Sequence, residues 1–110
     1  MSPEERPVPE PEGSELVVLA RAFGHPTRSA ILQAFFMAPS ELRTPSGLAS
    51  SLEQSMAVVS YHVRVLAELG VLELRAEEAV RGAIAHHYGL NDGWVPVIRR
   101  LVNAIAAVDD

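Results

Sequence analysis

Ser60, Tyr61 and Arg64, with Ala57 one turn earlier, are the residues whose types and spacing suit a chemical task. On a helix of 3.6 residues per turn they share one stripe. A hydroxyl, a phenol and a guanidinium beside a small residue fit the close approach and hydrogen bonding that a base edge or a phosphate demands. Arg64 leads the set, because its planar fork of donors matches guanine or phosphate. Its competing assignment is a surface ion pair with Glu68, one turn on. Tyr61 can stack or bond a phosphate, and serves equally as an amphipathic surface residue. Ser60 is small enough for close approach.

The element that must carry this stripe runs from Ser55 to Gly70, SMAVVSYHVRVLAELG. Ser55 suits the N-cap, where its hydroxyl accepts from a free N–H of the first turn. Gly70 suits the left-handed position that ends many helices. Val59, Val63, Leu66 and Leu69 form the opposite, core-facing stripe. Before it, Thr44-Pro45 is a cap followed by an N1 proline, opening a short helix to Leu52 with Leu48, Ala49 and Leu52 inward. Glu53-Gln54 joins the two. After it, Val71–Ala76 alternates as a half-buried strand with Leu72 and Leu74 inward. Glu77–Gly82 reads as a turn, and Ala83–Leu90 as the return strand with Tyr88 and Leu90 inward. Helix, turn, helix and hairpin in that order are the plan of a winged helix-turn-helix DNA-binding module.

The outer elements complete a mainly α fold of about five helices with a small β-hairpin wing. Residues 1–13 hold four prolines and four glutamates without apolar periodicity, and read as a disordered acidic tail. Residues 14–110 read as one domain. Ser14 caps a first helix whose Leu16, Leu19 and Phe23 are flanked by Val17 and Val18. That stripe is too broad for one contact and calls for a dimer interface. Pro26 opens a second helix with Ile31, Leu32, Phe35 and Phe36 in the core. Arg28 on its other side reads as a surface arginine or local ion pair rather than a phosphate clamp. The loop 37–44 has room near Leu42 for one short strand. A last helix, Trp94–Val108, carries Ile98, Leu101, Val102 and Ile105 at 3–4 spacing and reads as the second dimerisation element.

Three blocks resemble the ArsR-type winged-helix repressors: His25-Pro26-Thr27-Arg28 followed by Ile31-Leu32, then Gly47-Leu48-Ala49, then Val59-Ser60-Tyr61-His62-Val63-Arg64-Val65-Leu66 with Leu69-Gly70-Val71-Leu72. The likeness spans about residues 15–105. It implies a homodimer joined through the first and last helices, bound to a near-palindromic operator in double-stranded DNA, and prokaryotic transcription control, usually repression. By position, the family's base readers fall on Met56, Ala57, Ser60, Tyr61 and Arg64, with Arg81 on the wing. Met56 and Ala57 are apolar where the family often has polar readers. They can touch a thymine methyl but make no bidentate hydrogen bonds. The wing is the second departure, with Glu77 and Glu78 against Arg81 alone.

Charge and composition limit the alternatives. The net charge is −5, but residues 1–15 hold −4 of it, leaving a near-neutral domain whose fixed positive charge is entirely arginine. The non-specific electrostatic attraction to DNA is therefore weak. With no cysteine, disulfides and thiolate metal sites are excluded. The last helix, where the resemblance would place Asp and His zinc ligands, has neither. His86 and His87 are neighbours on a strand and face opposite ways, so they do not share an ion there. His62 borders the core stripe and reads as a buried, hydrogen-bonded histidine rather than a ligand. No metal or other cofactor is expected. Nor is enzyme activity, since no nucleophile motif or phosphate loop is present. No apolar run reaches membrane-spanning length and the N-terminus has no signal-like segment, so a cytoplasmic protein is expected. An effector would suit an apolar pocket between the outer helices. The rival reading is a winged-helix protein-interaction module without DNA binding, to which the acidic tail, Glu77-Glu78 and Met56-Ala57 are suited.

Overall fold

The computed structural model describes residues 10–108. Five helices and one antiparallel hairpin follow in the order α1 (Glu10–Phe23), α2 (Pro26–Met37), α3 (Pro45–Leu52), α4 (Met56–Glu68), β1 (Leu72–Val80), β2 (Ala83–Leu90) and α5 (Val95–Val108). A 3-10 turn, Asp92–Trp94, leads into α5. Among the described residues no helix is long and apolar enough to cross a membrane.

Local chemistry sets most helix ends. Thr44 Oγ1 accepts from Gly47 N at 3.0 Å with Pro45 at N1, and Ser55 Oγ accepts from Val58 N at 3.2 Å. His25 caps α2 through Nδ1, which accepts from Thr27 N at 3.1 Å, ahead of Pro26. Gly70 takes a φ of +81° just past α4, the conformation anticipated for it. α1 differs: it starts at Glu10, so four residues assigned to the tail are helical and Ser14 lies inside the helix rather than at its cap. Pro11 falls in the first turn, where its missing N–H has no intrahelical partner to lose. The tail assignment for residues 1–9 lies outside the described residues.

The core is built from one face each of α2, α3 and α4. Ile31, Leu32 and Phe35 meet Leu48 and Ala49, and Val59, Val63 and Leu66. Val71, Leu72 and Leu90 close it from the root of the hairpin, and Ala22 and Ile98 from the outer helices. Each fully buried aliphatic or aromatic side chain contributes roughly 1.5–3 kcal/mol of transfer free energy. Three of the expected core positions, Phe36, Leu52 and Leu69, pack at its edge.

The hairpin departs from expectation in length and facing. β1 continues through Glu77–Val80, and only Arg81 and Gly82 form the turn. Both have positive φ, +50° and +81°, the geometry of a two-residue hairpin turn. A bulge falls at Arg75, between the pairs Leu74↔Tyr88 and Ala76↔His87. Leu74, expected inward, is exposed, because the strand leaves the body after Leu72. Leu90 is buried and Tyr88 half-buried. The short strand sought near Leu42 is one bridge: Arg43 N donates to Tyr88 O and Tyr88 N to Arg43 O, at 2.9 and 2.8 Å.

Candidate nucleic-acid interface

α3 lies behind α4, the two joined by Glu53–Ser55, with Glu53 in the left-handed conformation at φ +55°. Val59, Val63 and Leu66 fix α4 inward, and His62 and Val65 are buried beside them, which leaves one outer face free. Met56, Ala57, Tyr61 and Arg64 are exposed, and Ser60 is half-buried. Among the described residues no ion pair engages Arg64, and the pairing with Glu68 is not made. A guanidinium on an open helix face with its donors unspent is the arrangement that phosphate or guanine recognition requires.

The anticipated readers split into two strips. Met56, Ser60 and Arg64 turn towards the hairpin and line a cleft of about 680 Å³. Ala57 and Tyr61 stand on the neighbouring strip, outside that lining. The opposite walls come from Thr44–Ser46 at the start of α3 and from Val80, Ile84 and His86 on the hairpin. Arg81 sits exposed in the hairpin turn and lies outside the cleft walls.

The wing acids are engaged. His86 Nε2 lies 3.1 Å from Glu77 Oε2, and His87 Nε2 lies 3.1 Å from Glu78 Oε1. The two histidines face opposite ways, as strand geometry requires: His86 lines the cleft, and His87 a separate hollow beside Leu42 and Leu48.

Behind α4 lies a polar joint. His62 is 6% exposed, and its Nδ1 accepts from Arg28 Nε at 3.1 Å. Arg28 Nη1 also donates to the Arg21 carbonyl at 2.6 Å. Arg28 is thus neither a phosphate clamp nor an ion-paired surface residue; it links α1, α2 and α4. The His25 ring stands 4.2 Å from that of His62, centroid to centroid, and Tyr61 meets His62 edge-on at 5.0 Å. Thr27 Oγ1 donates to Gln54 Oε1 at 3.0 Å, tying the same turn to the α3–α4 connection. Burial, then the neighbouring His25 and Arg28, hold the His62 imidazole below its usual pKa of 6.5.

Residues 23–75 match a family model described as a helix-turn-helix domain. The matched segment runs from the last residue of α1 into β1 and contains both α3 and α4. The solved structures it resembles extend the likeness across the wing and outer helices. Reduced HlyU from Vibrio cholerae aligns at 23% identity with a TM-score of 0.63, over 87% of this chain and 93% of its own. The Mb0332 fragment from Mycobacterium bovis aligns at 15% identity and TM-score 0.65, over 97% and 88%. It is described as a homodimeric winged helix-turn-helix DNA-binding domain of a possible ArsR-family transcriptional regulator. NolR from Sinorhizobium fredii aligns at 19% identity and TM-score 0.62, over 96% and 93%. No curated protein matches the chain. The fold shared with these structures is the winged helix-turn-helix.

The outer helices of this domain divide the anticipated dimerisation residues. Leu16 is exposed, while Leu19 and Leu101 are half-buried along a shallow groove of about 290 Å³ between α1 and α5. Arg100 Nη2 meets Glu15 Oε1 there at 3.4 Å. Ile98 is a correction: at 2% exposure it belongs to the core of its own chain, because the first turns of α5 lie against the body. Phe23 likewise packs against that core. Val102 and Ile105 lie on α5, but their side chains fall outside the described residues.

Sequence reasoning missed the cleft, whose walls come from three separate segments, and the engagement of Arg28. The HPTR run was legible as a motif, but its bond to His62 joins residues 34 positions apart.

Proposed function

We propose that this chain is a dimeric, DNA-binding transcriptional regulator of ArsR-like type, acting as a repressor and responding to something other than a metal. The observation that carries the reading is Arg64: an unpaired guanidinium on the open face of a capped second helix, braced by α3 in a helix-turn-helix. In this reading each α4 enters a major groove, with Arg64 on guanine or phosphate, Ser60 and Tyr61 beside it, and Met56 and Ala57 against thymine methyls. Arg81 meets the flanking backbone. The half-sites of a near-palindromic operator lie about 34–36 Å apart. Repression is steric: the bound dimer occupies promoter DNA.

The dimer would form through α1 and α5. Leu16 and Val17, 65% and 59% exposed, are neighbouring apolar side chains on α1 that a second copy would cover. The homodimeric description of the Mycobacterium bovis domain supports the same assembly here. The absence of cysteine and of Asp or His along α5 supports a non-metal signal.

A second reading, a protein-interaction module, is favoured by one observation: Met56, Val58, Tyr61, Val80 and Ile84 are all large, apolar or amphipathic, and exposed. One experiment separates the two. Binding to genomic fragments, including the protein's own promoter, is measured against salt for wild type and Arg64→Ala. Specific complexes that weaken with salt and are lost in Arg64→Ala support the regulator. Absence of any specific complex at low salt, with the dimer intact, favours the interaction module.

A further inference from the structure

We propose that the cleft between α4 and the hairpin is a binding site for a small amphipathic carboxylate, and that this ligand and DNA compete for α4. The competition rests on the regulator reading; the site itself does not. At about 680 Å³ the cleft is the size of a small-molecule pocket. It is also more than twice the volume of the groove between α1 and α5, where the sequence led us to expect an effector.

Its chemistry selects the ligand class. The walls offer Met56, Val80 and Ile84, which are 51%, 43% and 58% exposed. Such side chains gain from covering by hydrocarbon and gain little from a sugar–phosphate backbone. Among the described residues one fixed charge faces the cleft, that of Arg64, and no carboxylate lines it. His86, also in the wall, is turned to Glu77. In a chain of net charge −5, a concave apolar surface that excludes acids and presents one guanidinium is complementary to a monoanion with a hydrocarbon body. The carboxylate would take the fork of Arg64 bidentately, with the Ser60 hydroxyl beside it. The chain or ring would lie over Met56, Val80 and Ile84.

The same geometry makes the ligand an antagonist of DNA. Arg64 cannot serve a carboxylate and a base or phosphate together, and a filled cleft places a body between α4 and the groove floor. It also accounts for the two departures from the family pattern noted in the sequence: an apolar Met56 and a wing poor in cations are poor for gripping phosphate but suit a hydrophobic wall.

The test uses the full chain in calorimetric titrations without DNA, with octanoate, decanoate and phenylbutyrate below micelle-forming concentrations and decanol as the uncharged counterpart. Saturable binding of at least one carboxylate at one site per chain is expected. Arg64→Met should weaken that carboxylate at least about tenfold and leave decanol unchanged, since it removes the fork and keeps an apolar stem. Ile84→Asp should weaken both. Arg64 and Ile84 are exposed, so both variants should fold, as circular dichroism will verify. Absence of saturable binding by all three carboxylates overturns the site. So does equal carboxylate binding by wild type and Arg64→Met, or loss of binding in Leu16→Glu with retention in Arg64→Met. Displacement of bound DNA is then read by fluorescence anisotropy. Carboxylate binding without any DNA complex would sink the regulator reading and leave the site standing; DNA complexes without carboxylate binding would do the reverse.

Discussion

The Nε of Arg28 donates to Nδ1 of His62 across 3.1 Å, joining the first turn of α2 to the middle of α4. An accepting Nδ1 carries no proton, so the imidazole in this joint is neutral. The second donation of Arg28, to the Arg21 carbonyl, extends the link to the last turn of α1. α4 is thus anchored on its inner face by polar contacts as well as by hydrophobic packing. The orientation of Arg64 rests on this joint as well as on Val59, Val63 and Leu66.

Removing the donor should therefore cost stability. Arg28→Ala leaves the buried Nδ1 of His62 without its partner, at about 1–3 kcal/mol. Arg28→Lys should recover only part of that, because one ammonium cannot match the planar fork that reaches both His62 and the Arg21 carbonyl. Urea denaturation of the two variants checks this, and equal stability of wild type and Arg28→Ala would contradict the joint.

The joint also predicts a pH dependence. Burial and the neighbouring His25 and Arg28 hold the His62 pKa below 6.5, so the unfolded chain takes up this proton before the folded one does. Where the unfolded state binds more protons, stability rises with pH. The contribution of His62 is complete above about pH 6.5 and is lost as pH falls below it, towards the lower folded pKa. His62→Gln keeps a carbonyl acceptor for Arg28 and cannot titrate. Its stability should change less than that of wild type between about pH 7.5 and 5.5. The wing pairs His86–Glu77 and His87–Glu78 are present in both proteins, so they drop out of the difference.

The parts of this fold that were legible in the sequence are those set by neighbours along the chain. The Thr44-Pro45 and Ser55 caps, Gly70, and the buried stripe of α4 follow from residues within a turn or two of one another. The hairpin boundary did not, because Glu77-Glu78 resembles a charged turn until the side chains they meet on the opposite strand, His86 and His87, are known. Ile98 and Leu101 sit on one apolar stripe of α5; periodicity shows that both seek cover, and only packing shows that Ile98 finds it within its own chain.

The hairpin turn holds a residue in an unfavourable conformation. Arg81 has φ +50°, a region costly to side chains other than Asn, Asp or Gly. Arg81→Asn should stabilise the protein by roughly 0.5–1 kcal/mol. In the regulator reading it should also weaken DNA binding and flatten its salt dependence, since the tip loses its one cation. Opposite signs in a thermal melt and a binding isotherm would identify Arg81 as a residue kept for contact at the expense of the turn. A neutral or destabilising effect in the melt would refute the conformational argument.

The proposed assembly through α1 and α5 makes a graded prediction on three apolar positions with different surroundings. Leu16 is 65% exposed, so Leu16→Glu costs the isolated chain little: the charge stays in water. In a dimer that covers this position, the same carboxylate would be buried without a partner and association would fail. Light scattering should then report the mass of one chain, with circular dichroism and melting close to wild type. Ile98 is 2% exposed in the single chain, so Ile98→Glu places a charge in the core and should unfold the protein before any question of assembly arises. Leu101, half-buried beside the α1–α5 groove, should fall between the two, with both weaker association and a lower melting temperature. A folded Leu16→Glu protein that keeps the mass of a dimer would move the interface off α1, whereas a folded monomer would leave the exposed stripe of that helix as the surface the second chain covers.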